Sequence, residues 1–113
     1  MHEALFSDRG FAGGLTTLDV AKALIDEGFH PMTVYFPLVV HGAMLVEPTE
    51  TESKAALDQF IAALRSLAER ARAGDERLKT APHFAPRRRL DETLAARKPV
   101  LVYKEPERPE AAE

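Results

Sequence analysis

The stretch Ala43-Met44-Leu45-Val46-Glu47-Pro48-Thr49-Glu50-Thr51-Glu52-Ser53-Lys54-Ala55-Ala56-Leu57-Asp58-Gln59-Phe60-Ile61 decides the fold class, because its hydrophobic period changes partway along. Ala43–Glu47 is a short apolar run bounded by Gly42 and Pro48, the pattern of a strand. Beyond it, Leu57, Phe60, Ile61, Leu64, Leu67 and Ala68 recur at steps of three and four, which puts one apolar stripe on a helix running to about Arg72. Thr49-Glu50-Thr51-Glu52 has the form of a capping box, in which the first hydroxyl accepts from the amide three residues on and the Glu returns the bond, so the helix is expected to start there. Gly74 supplies the stop.

Upstream, Phe29–Val46 is apolar and rich in β-branched and aromatic residues, but Pro31 and Pro37 each remove a ladder donor, so the sequence predicts an irregular loop leading into the strand. A helix is expected at about 17–27, capped by Thr16 or Thr17 and stopped at Gly28, with Val20 and Leu24, and Ala21 and Ile25, at helical spacing. His2–Ser7 reads as a further strand, followed by a loop containing Gly10, Gly13 and Gly14. Downstream of Pro82 and Pro86 come a short helical segment near Leu90–Arg97 and an apolar strand at Val100–Tyr103. Strands alternating with amphipathic helices make this an α/β domain of about residues 1–104, with helices covering one face of a small, mainly antiparallel sheet. Glu105–Glu113, two prolines among acids and alanines, is expected to be a disordered acidic tail.

The chain has 113 residues, one modest core's worth, and no cysteine, which excludes disulfides and thiolate chemistry. The opening residues carry acid early and contain no long apolar run, so neither a signal peptide nor a membrane span is expected and the cytoplasm is the default compartment. Net charge is −3 but unevenly placed, with seven acids and two bases in residues 1–50 and seven acids and twelve bases in 51–104. In the basic block the charges interleave with carboxylates and aromatics are few, which argues against nucleic acid as a partner.

Familiar catalytic signatures are missing: there is no phosphate loop ending in Gly-Lys-Ser/Thr, no Gly-x-Ser-x-Gly elbow and no His-Glu-x-x-His. His2, His30, His41 and His83 are too dispersed for a local metal motif. Glu50 and Glu52 are accounted for by the expected cap and the helix dipole. Arg87-Arg88-Arg89, between a proline-broken loop and a short helix, reads as solvated charge rather than an anion clamp.

The string Gly28-Phe29-His30-Pro31-Met32-Thr33-Val34-Tyr35-Phe36-Pro37-Leu38-Val39-Val40-His41, continuing through Met44–Lys54 to Leu57-Asp58 and Phe60, resembles the C-terminal part of subunit 2 of the glycine-decarboxylating P-protein family of the glycine cleavage system. Met1-His2-Glu3, Leu18–Lys22, Ala81-Pro82-His83, Pro86, Arg88–Asp91 and Arg97–Leu101 extend the resemblance over about residues 1–103. Met32 stands where that family usually has a second proline, Gly42 where an acidic residue is common, and the start after Glu3 is atypical.

The resemblance implies the small domain of a fold-type-I enzyme dependent on pyridoxal phosphate, packed on a large domain that holds the cofactor lysine. It implies glycine decarboxylation and aminomethyl transfer to a lipoylated H-protein in the intact system, with the remaining P-protein chain and a partner P-protein subunit as further contacts. No lysine of this sequence lies in the cofactor motif, so the isolated chain is expected to bind no cofactor and to be inactive alone. The other readings are a stand-alone binding or regulatory module and a truncated product without separate function. Many fold-type-I enzymes place a carboxylate-holding arginine where this sequence has Glu47, so Glu47 is a cleft-lining candidate; alternatively it accepts backbone bonds near the helix start. Phe29, Val34, Tyr35, Phe36, Leu38 and Val39 are the candidate interface anchors, and the alternative is that this stretch fills the domain's own core.

Overall fold

Ala43 and Met44 are buried, and the sheet is organised around the strand that carries them, β3 (Ala43–Val46). The computed structural model describes residues 2–105. Strand β1 (Ala4–Ser7) pairs antiparallel with β3, with Ala4 opposite Val46 and Ser7 opposite Ala43. On the other side of β3 lies β2 (Thr33–Val34), also antiparallel, so the order is β1-β3-β2. β2 falls inside the stretch expected to be an irregular loop. Pro31 and Pro37 stand just outside its two residues, so neither removes a ladder donor, and the Tyr35 amide extends the pairing by donating to the Ala43 carbonyl at 2.8 Å.

Helix α1 (Thr17–Asp26) and helix α2 (Lys54–Arg72) bring Val20, Leu24, Ala63 and Leu67 into one cluster with Met44, Leu78 and Ala81. Leu24, Leu67, Leu78 and Val20 are almost fully buried, and each such side chain contributes about 1.5–3 kcal/mol by leaving water. Phe29 and Phe60 close the cluster edge to face, with ring centroids 5.4 Å apart.

The start of α2 differs from expectation. Its N-cap is Ser53, whose hydroxyl accepts from the Ala56 amide at 3.1 Å, and the helix begins at Lys54. Thr49–Glu52 forms a turn instead: the Glu52 amide donates to the Thr49 carbonyl and the Thr49 and Thr51 hydroxyls bond each other. Those four residues carry the chain from the end of β3 to the helix, so they cannot also be its first turn. The capping box is at α1, where Thr16 and Asp19 exchange bonds. Gly74, at φ +76°, ends α2 as expected.

A 3-10 turn at Glu76–Thr80 contributes Leu78 to the core, and α3 (Glu92–Arg97) follows on the outside. The strand expected at Val100–Tyr103 is absent. Its apolar residues are 71–87% exposed, because no described strand offers them a ladder. Of the tail expected to be disordered, residues 106–113 lie outside the described residues.

Candidate functional site

Three surfaces carry the chemistry of this domain, and the first is the junction between the sheet and α1. A helix leaves its first amides without internal partners, and here each finds one. The Thr17 amide donates to Asp8 Oδ2 at 3.3 Å, the Leu18 amide to the Tyr35 hydroxyl at 3.3 Å and the Asp19 amide to Thr16 Oγ1 at 3.2 Å. Thr17 is fully buried and donates its hydroxyl to the Gly42 carbonyl at 2.7 Å. Asp8, whose side chain is 11% exposed, also holds His41 Nδ1 at 3.0 Å. Gly42 suits the position beside it: φ is +55°, which side chains rarely adopt, and a Cβ there would lie 2.0 Å from the Asp8 carboxyl carbon and force it to shift.

The second surface is the loop that follows β2. Tyr35 and Phe36 are 48% and 56% exposed, and Leu38 and Val39 87% and 92%. Tyr35 has φ +58° in spite of its side chain, and its amide and hydroxyl bonds to Ala43 and Leu18 hold it there. Phe29 and Val34, grouped with these residues from sequence, are partly buried; Phe29 packs on Phe60 within the domain.

The third surface is a cleft of about 460 Å³ between the ends of β2 and β3 and the first turns of α2, lined by Phe29, Met32, Leu45, Glu47, Glu52 and Phe60 among others. Glu47 is exposed on its rim. Its carboxylate lies 3.9 Å from His2 Nε2, and among the described residues no backbone amide donates to it. His2, Glu3 and Glu47 can bring ligand atoms within 4.8 Å of one another, but all three are exposed. Pyridoxal phosphate needs an amine and donors for a phosphate. The cleft offers two carboxylates and no lysine or arginine, while Lys54 and Lys79 are paired with Asp58 and Glu76. These residues do not fit the cofactor.

The arginine run is not simply solvated. Arg89 donates to Asp19 Oδ1 and to the Ala81 carbonyl, both at 2.7 Å, and Arg88 bonds the Pro82 carbonyl and His83. Burial raises the Asp19 pKa, but the bonds from Thr16 and Arg89 outweigh it and hold the carboxyl below its ordinary value. The Arg70 guanidinium and the Arg77 amide likewise hold Asp75 low. Sequence reading named Thr17 as a possible cap, His41 among dispersed histidines and Arg89 as solvated charge, but gave none of them these partners and did not single out Asp8.

A three-stranded antiparallel sheet backed by helices, with an exposed apolar loop and an acid-rimmed cleft, defines a small α/β domain. A family model described as the C-terminal domain of glycine dehydrogenase matches residues 1–83, and the chain belongs to that family. It is 74% identical over 106 residues to a probable glycine dehydrogenase (decarboxylating) subunit 2 of Caulobacter vibrioides, covering 92% of this chain and 20% of that protein. Proteins of the same name from Caldanaerobacter subterraneus and Pyrococcus horikoshii are 55% and 48% identical, each over 91% of this chain and 21% of theirs. The chain therefore spans about a fifth of the length of the curated relatives it matches. Among the described residues no helix is long and apolar enough to cross a membrane.

Proposed function

We propose that residues 1–104 act as the small domain of a glycine-decarboxylating enzyme dependent on pyridoxal phosphate, supplying one wall of the site and an interface but not the cofactor-binding amine. The observation that carries this reading is the loop of Tyr35, Phe36, Leu38 and Val39, about half to nine-tenths exposed on a backbone pinned from behind by Leu18 and Ala43. A rigid apolar surface of that kind favours a protein neighbour over solvent. The neighbour in this reading is the rest of the glycine dehydrogenase polypeptide, with a partner subunit and the lipoylated H-protein as contacts of the assembled system in the cytoplasm. Glu47 borders the cleft in that assembly and, by its charge, disfavours tight holding of a carboxylate that must leave.

Size exclusion with light scattering, on this chain alone and mixed with the remaining portion of a full-length relative, tests the docking. A stable mixed complex that Tyr35→Ala with Phe36→Ala abolishes is expected. A chain that ignores that portion is an independent module and overturns the reading. Mixing the chain with pyridoxal phosphate tests the second half: a stoichiometric absorbance band that borohydride fixes to one lysine would refute the absence of a cofactor amine.

A further inference from the structure

From Pro86 to Glu105 every described residue is exposed, yet this arm contains a strand-like run with nothing to pair with. Val100, Leu101, Val102 and Tyr103 are 85%, 87%, 71% and 83% exposed, a concentration of apolar surface that water disfavours. The root of the arm is firmly held. Asp26 accepts from the amides of His83 and Phe84 at 2.7 and 2.8 Å, and Asp19 holds Arg89. The arm therefore leaves the body at a defined place and does not collapse back onto it.

The body has a free sheet edge of the same length. β1 lies at one side of the order β1-β3-β2, so the backbone groups of its outer side have no strand partner among the described residues. Leu5 and Phe6 on it are 46% and 48% exposed. An open edge of this sort is a template for another strand. Four arm residues match four edge residues. With Val100 set opposite Ser7 in an antiparallel register, Tyr103 faces Ala4 and Lys104 faces Glu3, which stands beside Glu47. At the other end Pro99, which has no amide to donate, falls opposite Asp8, where the chain already turns away from the sheet. Charge and length are thus complementary in one register.

We propose that residues 100–103 add as a fourth strand to the open edge of β1 in a second copy of this chain, in a reciprocal two-fold pair. The match in length and the Lys104–Glu3 charge pairing favour a second copy as the source of the edge, and two-fold symmetry satisfies both edges at once. This surface is separate from the Tyr35–Val39 loop, so the two readings fail independently.

Sedimentation equilibrium of the 113-residue chain across a concentration series tests the proposal, with circular dichroism confirming that each variant is folded. A monomer–dimer equilibrium is expected, lost when the chain ends at Pro99 and unaffected by Tyr35→Ala with Phe36→Ala. Glu3→Lys and Lys104→Glu should each weaken dimerisation about 5-fold, since an exposed pair contributes about 0.5 kcal/mol and symmetry counts it twice. The combined swap should restore it. A chain monomeric throughout, a dimer that survives the truncation, or single reversals that the swap does not rescue would each overturn the proposal. So would a monomer whose residues 100–103 are protected from hydrogen exchange, which would mean that the arm docks on its own edge.

Discussion

At the first turn of α1 the leading amides, the Asp8 and Asp19 carboxylates and the buried Thr17 hydroxyl all have partners inside the domain, whereas beyond Pro86 four consecutive apolar side chains face water. Both regions are short and neither is regular throughout. The difference is that the first lies where β1, β3 and α1 converge, so long-range contacts can satisfy its polar groups. The second leaves that convergence at Arg89 and meets nothing else. A domain of this size has apolar surface to spare, and here most of the strongly exposed large side chains lie on the Tyr35–Val39 loop and the arm.

The comparison breaks if truncating the buried side costs no more than truncating the exposed one. Leu67→Ala removes a fully buried side chain and should cost about 3 kcal/mol, enough to unfold a marginal domain, while Leu101→Ala, at 87% exposed, should stay within about 0.5 kcal/mol of the parent. Urea titrations followed by circular dichroism make the measurement. Next in size is Gly42→Ala. It puts a Cβ into the Asp8 carboxylate at a backbone angle that disfavours it, and about 2 kcal/mol should be lost. Adding Asp8→Gly should relieve the clash but not the angle, so the double variant should be more stable than the sum of the two single losses implies.

How much of this was legible follows the same division. The spacings of Val20 with Leu24 and of Phe60 with Leu64 and Leu67 announced two helices, and Gly74 announced where one stops, because a helical stripe repeats within a single element. The start of α2 was misplaced because Thr49 and Ser53 are both good caps, and only the span from sheet to helix chooses between them. β2 was hidden by its length, two residues between prolines. Residues 100–103 read as a strand because pairing is a property of the neighbour, which local pattern does not contain. Asp8, His41 and Arg89 meet partners 9, 33 and 70 positions away, and no spacing rule reaches that far.

A smaller effect probes the point where the two regions touch. Asp19→Asn removes the charge that holds Arg89 and should cost about 1.5 kcal/mol at neutral pH. The folded chain holds Asp19 ionised more readily than the unfolded one, so its contribution is full above the ordinary value of 3.8 and is lost as pH falls through the lower folded value. The stability gap between parent and Asp19→Asn should therefore narrow as the solution is acidified below 3.8. A gap that widened there would mean that the carboxyl is held neutral in the fold, and the assignment of its bonds to Thr16 and Arg89 would be wrong.

The smallest expected effect is the sharpest for Tyr35, which joins the satisfied end of α1 to the exposed apolar loop after β2. Its ring is half exposed on the apolar loop after β2, while its hydroxyl accepts the Leu18 amide at the satisfied end of α1. Tyr35→Phe keeps the ring and deletes only that acceptor. At 3.3 Å and within reach of water the bond sits at the weak end of its class, so about 0.5 kcal/mol should be lost. The Leu18 amide, left without a protein acceptor, should exchange its hydrogen faster than in the parent, while the neighbouring Asp19 amide, still capped by Thr16, should not change. Binding to the remaining portion of a full-length relative should survive Tyr35→Phe and fall with Tyr35→Ala. If Tyr35→Phe instead weakens that binding and leaves Leu18 exchange untouched, the hydroxyl faces the proposed partner and not the helix, and the pinned backbone behind the apolar loop must be explained by the Tyr35 to Ala43 bond alone.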